Sequence, residues 1–250
     1  YDNDGDGNVD GLYIIFAGNG EEAGGGADAI WSHAGWVDRY INGVRINRYA
    51  CSPEHRGASG SSITYIGVIC HELGHVLGAP DYYDTNYETG GSYDGTGTWD
   101  LMASGSWNAG GSKPSHPNPR IKVYTYNWAD VITLNTPQNV LLPPSINYKN
   151  AFYRINTNTN GEYFLLENRN QIGFDGAIPG NGMVIYRCAS NINQGPINTT
   201  HRQKFYPVAA NSTFDLPSAG NYGSINAPST PWPGTLNKVI FNDTTFPSMK

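Results

Sequence analysis

The stretch from His71 to Asp81, HELGHVLGAPD, leaves little freedom to the backbone that carries it. His71 and His75 are four residues apart, and on a helix that spacing puts both imidazoles on one face. Two imidazoles so placed can grip one zinc ion, and Glu72 lies beside them, where it can take a proton from a metal-activated water. Gly78 can leave the helix in a left-handed conformation, and Pro80 prevents the helix from resuming. That turn can swing Asp81 back as a third ligand, with one metal position left open for water. With 6 His in 250 residues, HExxH arises by chance about 0.004 times in such a chain, so an ordinary amphipathic helix is a poor account of it.

The rest of the helix reads from its apolar spacing. Ile66, Ile69, Leu73, Val76 and Leu77 fall mostly on one side, which predicts a helix from near Ile63 to Leu77, capped by Ser61 or Ser62. Upstream, Gly11–Gly18 is a short apolar run that predicts a buried strand, and Val44–Ala50 alternates enough to be another. From Asp81 to Gly111 there is little periodicity, which predicts a long functional loop. Three prolines in Pro114–Pro119 suggest a linker or extended turn. Short β-type runs follow at Val140–Leu142, Ala151–Ile155, Tyr163–Glu167 and Met183–Arg187. The expected class is α+β, with a catalytic domain over residues 1–125 followed by a mostly β region over residues 126–250.

Two further patterns bear on chemistry. In Asp2-Asn3-Asp4-Gly5-Asp6-Gly7-Asn8-Val9-Asp10, the alternate side chains of Asp2, Asp4, Asp6, Asn8 and Asp10 can converge on calcium. Tyr13 stands where a helix–loop–helix calcium site has its bidentate Glu, so this is no EF-hand; the competing reading is an Asx-rich turn. In Trp99-Asp100-Leu101-Met102, a Met in a tight turn beneath the metal would form an apolar floor, as in a metzincin, against ordinary core packing. His33, in Trp31-Ser32-His33, has no ligand spacing of its own.

Composition narrows the partners. The net charge is -6, only 14% of residues are charged, and no Lys/Arg cluster occurs, which argues against nucleic acid and anionic membranes. No apolar run approaches the ~20 residues of a membrane span. Cys51, Cys70 and Cys188 make no disulfide framework, although a Cys51–Cys70 bridge is conceivable. Sequons at Asn198, Asn211 and Asn242 are expected to be incidental.

Taken together, these residues resemble the immune inhibitor A-type zinc metallopeptidases. The matching features run in the family's order: DNDGDGNVDGLYIIFAG, then IWSH at Ile30–His33, Pro53-Glu54, HELGHVLGAPDYYD, WDLMASGSW and the later Glu162–Arg187 segment. Tyr186-Arg187-Cys188 departs from the family, which often has His followed by an aliphatic residue there. The resemblance implies a secreted bacterial endopeptidase with a zincin fold, a precursor with an N-terminal propeptide, structural calcium and protein or peptide substrates. By position it implies His71, His75 and Asp81 as zinc ligands, Glu72 as general base and Met102 as a structural residue. It also implies catalytic-domain residues upstream of this chain and further β structure after it. Two other classes compete: a catalytically silent, calcium-stabilised adhesion or binding module, and a β-rich half that binds carbohydrate or protein.

Overall fold

The computed structural model describes residues 1–87, 93–200, 202–213 and 224–249. The chain is an α+β mixture that divides into two compact units: residues 1–79 with 109–112, and residues 80–108 with 113–250.

The first unit is built on a three-stranded sheet of β1 (Leu12–Asn19), β2 (His33–Ile41) and β3 (Val44–His55), ordered β1-β3-β2. β3 runs parallel to β1 and antiparallel to β2. Ile41 pairs with Val44 across Asn42-Gly43, and both loop residues have positive φ, 51° and 84°. An Asn-Gly pair takes up that twist with little strain, and it is the sequence signal for a hairpin that the strand reading passed over. The single helix of this unit, α1 (Ile66–Val76), packs against β3 and β2.

Two expectations are corrected here. The Gly11–Gly18 strand exists but is not buried: Ile14 is 43% exposed and Ile15 63%. Among the described residues β1 is an edge strand with β3 as its sheet neighbour, and its apolar residues Ile14 and Ile15 are left exposed. The helix also starts three residues later than its spacing suggests, with Tyr65 as N-cap and no side-chain cap from Ser61 or Ser62. Ile63 forms a β-bridge with His55, and the Thr64 N–H donates to the Glu54 carbonyl at 2.8 Å. The backbone just before the helix is thus committed to pairing with β3 and cannot also wind into a first turn.

The second unit carries a five-stranded sheet ordered β4-β5-β6-β7-β8, with β4 Val131–Thr133, β5 Phe152–Asn156, β6 Tyr163–Arg169, β7 Gly182–Cys188 and β8 Phe205–Pro207. β4 and β5 are parallel and the remaining pairs antiparallel. Phe164, Ile185, Tyr206, Val208 and Trp232 form its apolar core. Val140–Leu142 makes no strand; Pro143 and Pro144 follow directly and lack the N–H donors a ladder needs, and Leu141 is left 82% exposed. The Pro-rich segment is no linker either. Ser115 and Asn118 are buried, the Ser115 N–H donates to the Gly105 carbonyl, and the Asn118 amide donates to Asp100 Oδ2 at 2.6 Å. Prolines bring no N–H to satisfy, so such a run can be buried with few partners. The loop expected from Asp81 to Gly111 contains 3-10 turns at Gly97–Trp99 and Ser104–Gly111.

Candidate metal centre

The end of α1 is a Schellman motif. Gly78 has φ 101°, its N–H donates to the His75 carbonyl at 2.9 Å, and the Ala79 N–H donates to the Gly74 carbonyl at 3.0 Å. This turn does more than stop the helix. It carries the Ala79 carbonyl to 2.7 Å from His75 Nδ1. A carbonyl only accepts, so the proton sits on Nδ1 and the lone pair of Nε2 is left for a metal. Arg48 Nη1 lies 3.4 Å from the carbonyl oxygens of both His75 and Val76, placing a cation at the negative end of the helix. The same guanidinium stacks 4.2 Å over the Trp36 ring.

The imidazoles of His71 and His75 meet edge to face with centroids 4.9 Å apart. One ligand atom from each of His71, His75 and Asp81 can be chosen so that all three lie within 4.8 Å of one another. Two imidazoles and one carboxylate, with the orientation of one imidazole fixed by a backbone carbonyl, form a donor set suited to zinc. Glu72 is on the same helix and buried. Burial pushes the Tyr13 phenol up to about 12, and the nearby Glu72 carboxylate adds to the rise.

Asp81 is followed by a tightly held peptide. The Tyr82 N–H donates to the Met102 carbonyl at 2.8 Å, and the Thr96 N–H donates to the Tyr82 carbonyl at 3.0 Å. Met102 is fully buried, and its own N–H donates to Asp100 Oδ1 at 3.1 Å. The WDLM turn is therefore hydrogen-bonded to the residue next to Asp81. The Tyr82 ring is buried against Phe205, 5.3 Å between centroids, and burial raises its phenol well above the usual range.

Of the proposed calcium ligands, Asp2, Asp4 and Asp10 bring one carboxylate oxygen each within 4.8 Å of the others. Asp6 is not in that group. Asp6 Oδ1 instead accepts the Asn8 N–H at 2.8 Å, and both Asp2 oxygens accept loop N–H groups. Asx-turn bonding and a convergence of carboxylates coexist in one loop. His33 is outside both groups: its Nε2 is 2.9 Å from the Tyr49 hydroxyl and its Nδ1 is 3.4 Å from Cys51 Sγ. All three cysteines are free thiols, and burial raises the pKa of each.

Residues 1–128 match the family model described as the immune inhibitor A peptidase M6 catalytic domain. This chain belongs to that family. A pre-pro-metalloprotease, PrtV, of Vibrio cholerae is 42% identical over 121 residues, covering 44% of this chain and 13% of the relative. Immune inhibitor A of Bacillus thuringiensis subsp. alesti is 34% identical over 163 residues, covering 54% of this chain and 23% of the relative. The chain thus spans less than a quarter of each of these relatives. The matched family model is that of a peptidase catalytic domain, and the Vibrio relative is named as a metalloprotease. Among the described residues, no helix is long and apolar enough to cross a membrane.

Proposed function

We propose that the protein is a secreted bacterial zinc endopeptidase with a zincin-type catalytic domain, made as a precursor with an N-terminal propeptide. The observation that carries the zinc assignment is the approach of His71, His75 and Asp81 donors to within 4.8 Å, beside a buried Glu72. Zinc, when bound, would supply Lewis-acid polarisation of a water and of the scissile carbonyl. His71 and His75 would hold it through imidazole nitrogens, Nε2 in the case of His75, and Asp81 through a carboxylate oxygen. Glu72 would accept the proton of the attacking water and deliver it to the departing amine. Its burial keeps that carboxylate out of bulk water, where a positioned base is most effective. Met102 would act structurally, through the turn that holds Tyr82. The Asp2–Asp10 loop would hold a structural calcium.

Glu72→Gln tests the base. The substitution preserves size and polarity and removes only the basic carboxylate. Turnover of a quenched fluorescent peptide library should fall by at least roughly 100- to 10,000-fold. Zinc content by mass spectrometry should stay at the parent level. Full activity with zinc bound would show that Glu72 is not the base.

A further inference from the structure

Asn198 lies 116 residues beyond Tyr82, outside the segment that matches the family's catalytic domain. It is fully buried, and its side chain meets four backbone groups. Nδ2 donates to the Tyr82 carbonyl at 2.7 Å and to the Phe205 carbonyl at 2.8 Å. Oδ1 accepts the N–H groups of Lys204 and Phe205 at 3.1 and 3.2 Å. One amide thus ties Asn198 to Lys204 and Phe205 and reaches across to Tyr82, the residue that follows Asp81. Tyr82 is held at both of its backbone groups: the Met102 carbonyl takes its N–H, while Asn198 and Thr96 both donate to its carbonyl. Gly95 packs so close that a Cβ there would collide with the Tyr82 carbonyl.

We infer that Asn198 is a positioning residue for the metal site, fixing the backbone from which Asp81 projects through its hydrogen bond to the Tyr82 carbonyl. The inference rests on Asp81 being the third zinc ligand. The physical reason is the lever arm. A carboxylate on a turn after a helix has no ladder to orient it, so its direction follows that of the peptide behind it. An amide is needed there because a single planar group must donate to two carbonyls and accept from two N–H groups. Groups hydrogen-bonded directly to a metal ligand are typically worth roughly 10- to 100-fold in metal affinity; Asn198 acts through the neighbouring residue, so the lower end of that range is expected.

The test is zinc affinity in the full chain, measured by competition with a chromophoric chelator. Asn198→Asp keeps the oxygen that Lys204 and Phe205 use and replaces the donor to Tyr82 with an acceptor; Asn198→Ser removes the contact without adding charge. Near-UV circular dichroism of the metal-free protein selects whichever variant keeps the native fold. That variant should bind zinc about 10-fold more weakly than the parent. In an Asp81→Ala background, the same substitution should cost no further affinity. Parent-like affinity would overturn the inference. So would an equal loss in both backgrounds, or loss of the fold in both variants, since either makes Asn198 a general structural residue. If Asp81→Ala alone leaves zinc affinity unchanged, the ligand assignment itself has failed, and the inference falls for that separate reason.

Discussion

Gly78 is where one residue's conformational freedom becomes chemistry. Its φ of 101° closes the Schellman turn, and the turn brings the Ala79 carbonyl to His75 Nδ1. An alanine at this position would have to adopt a left-handed backbone at a cost of about 1–2 kcal/mol. Gly78→Ala is therefore expected to lower the melting temperature by several degrees. It should also weaken zinc binding, because relaxing the turn moves both the carbonyl that orients His75 and the chain leading to Asp81. Thermal melts and chelator competition check the two effects separately. A variant as stable as the parent, with unchanged zinc affinity, would mean that the turn has no part in the site. The motif HExxHxxGxxD carries this information locally: spacing names the proposed ligands, and a residue without a Cβ suits the left-handed position before Asp81.

At the scale of elements, the loop before β1 is tied to the start of β3. The Arg45 N–H donates to the Gly7 carbonyl at 2.9 Å, and the Val9 N–H donates to the Arg45 carbonyl at 2.8 Å. Asp2, Asp4 and Asp10 converge on this anchored loop, so their mutual repulsion acts directly on its attachment to the sheet. A bound calcium would relieve that repulsion. Calcium should then raise the melting temperature and EGTA lower it, and Asp4→Asn should blunt the response. Identical melts in calcium and EGTA would reduce the loop to an Asx turn. The elements themselves were unevenly legible. α1 showed in its apolar period and β3 in its alternation. β2 showed only through Asn42-Gly43, because its outward residues Trp36, Tyr40 and Ile41 give it no alternating pattern.

The second unit as a whole is organised around charges in its interior. Arg169 is fully buried and binds Asp175 through two nitrogens, at 2.6 and 2.9 Å, Glu167 at 2.9 Å and the Trp99 carbonyl at 2.9 Å. Lys122 lies 3.8 Å from Glu167, and burial lowers its pKa. The attraction of Arg169 holds Glu167 and Asp175 below the usual carboxylate range against the opposing effect of burial. His116 stands among these groups. Burial, Lys122 and Arg169 lower its pKa to about 4, with Asp175 and Glu167 opposing. Unfolded, the same imidazole titrates near 6.5, so between those values the unfolded chain binds the extra proton. The stability from a neutral His116 is complete above about pH 6.5 and is lost as pH falls towards about 4. His116→Asn should flatten the acid limb of a stability profile measured by denaturant melts between pH 7 and 4. An unchanged limb would place the acid sensitivity elsewhere.

Local spacing brought the proposed metal donors of this protein together. His71, Glu72, His75, Gly78 and Asp81 are joined by one helix and one turn, and short-range backbone geometry is written in adjacent residues. The Pro114–Pro119 segment and the Asn198 contact were not legible in the same way. The prolines read as a linker or extended turn because they break ladders, yet here they are buried, since a segment with few donors is easily satisfied. Asn198 looked like an incidental sequon because its partners, Tyr82 and Phe205, are fixed by the tertiary path of the chain and leave no periodic trace. Buried ions followed the same rule. Arg169, Glu167 and Asp175 are ordinary surface residue types in sequence, and only the packing of β6 against the Trp99 turn made them an interior network. Contacts between residues distant in sequence are decided by the fold, because burial and hydrogen-bond satisfaction are properties of the packed chain and not of any local stretch.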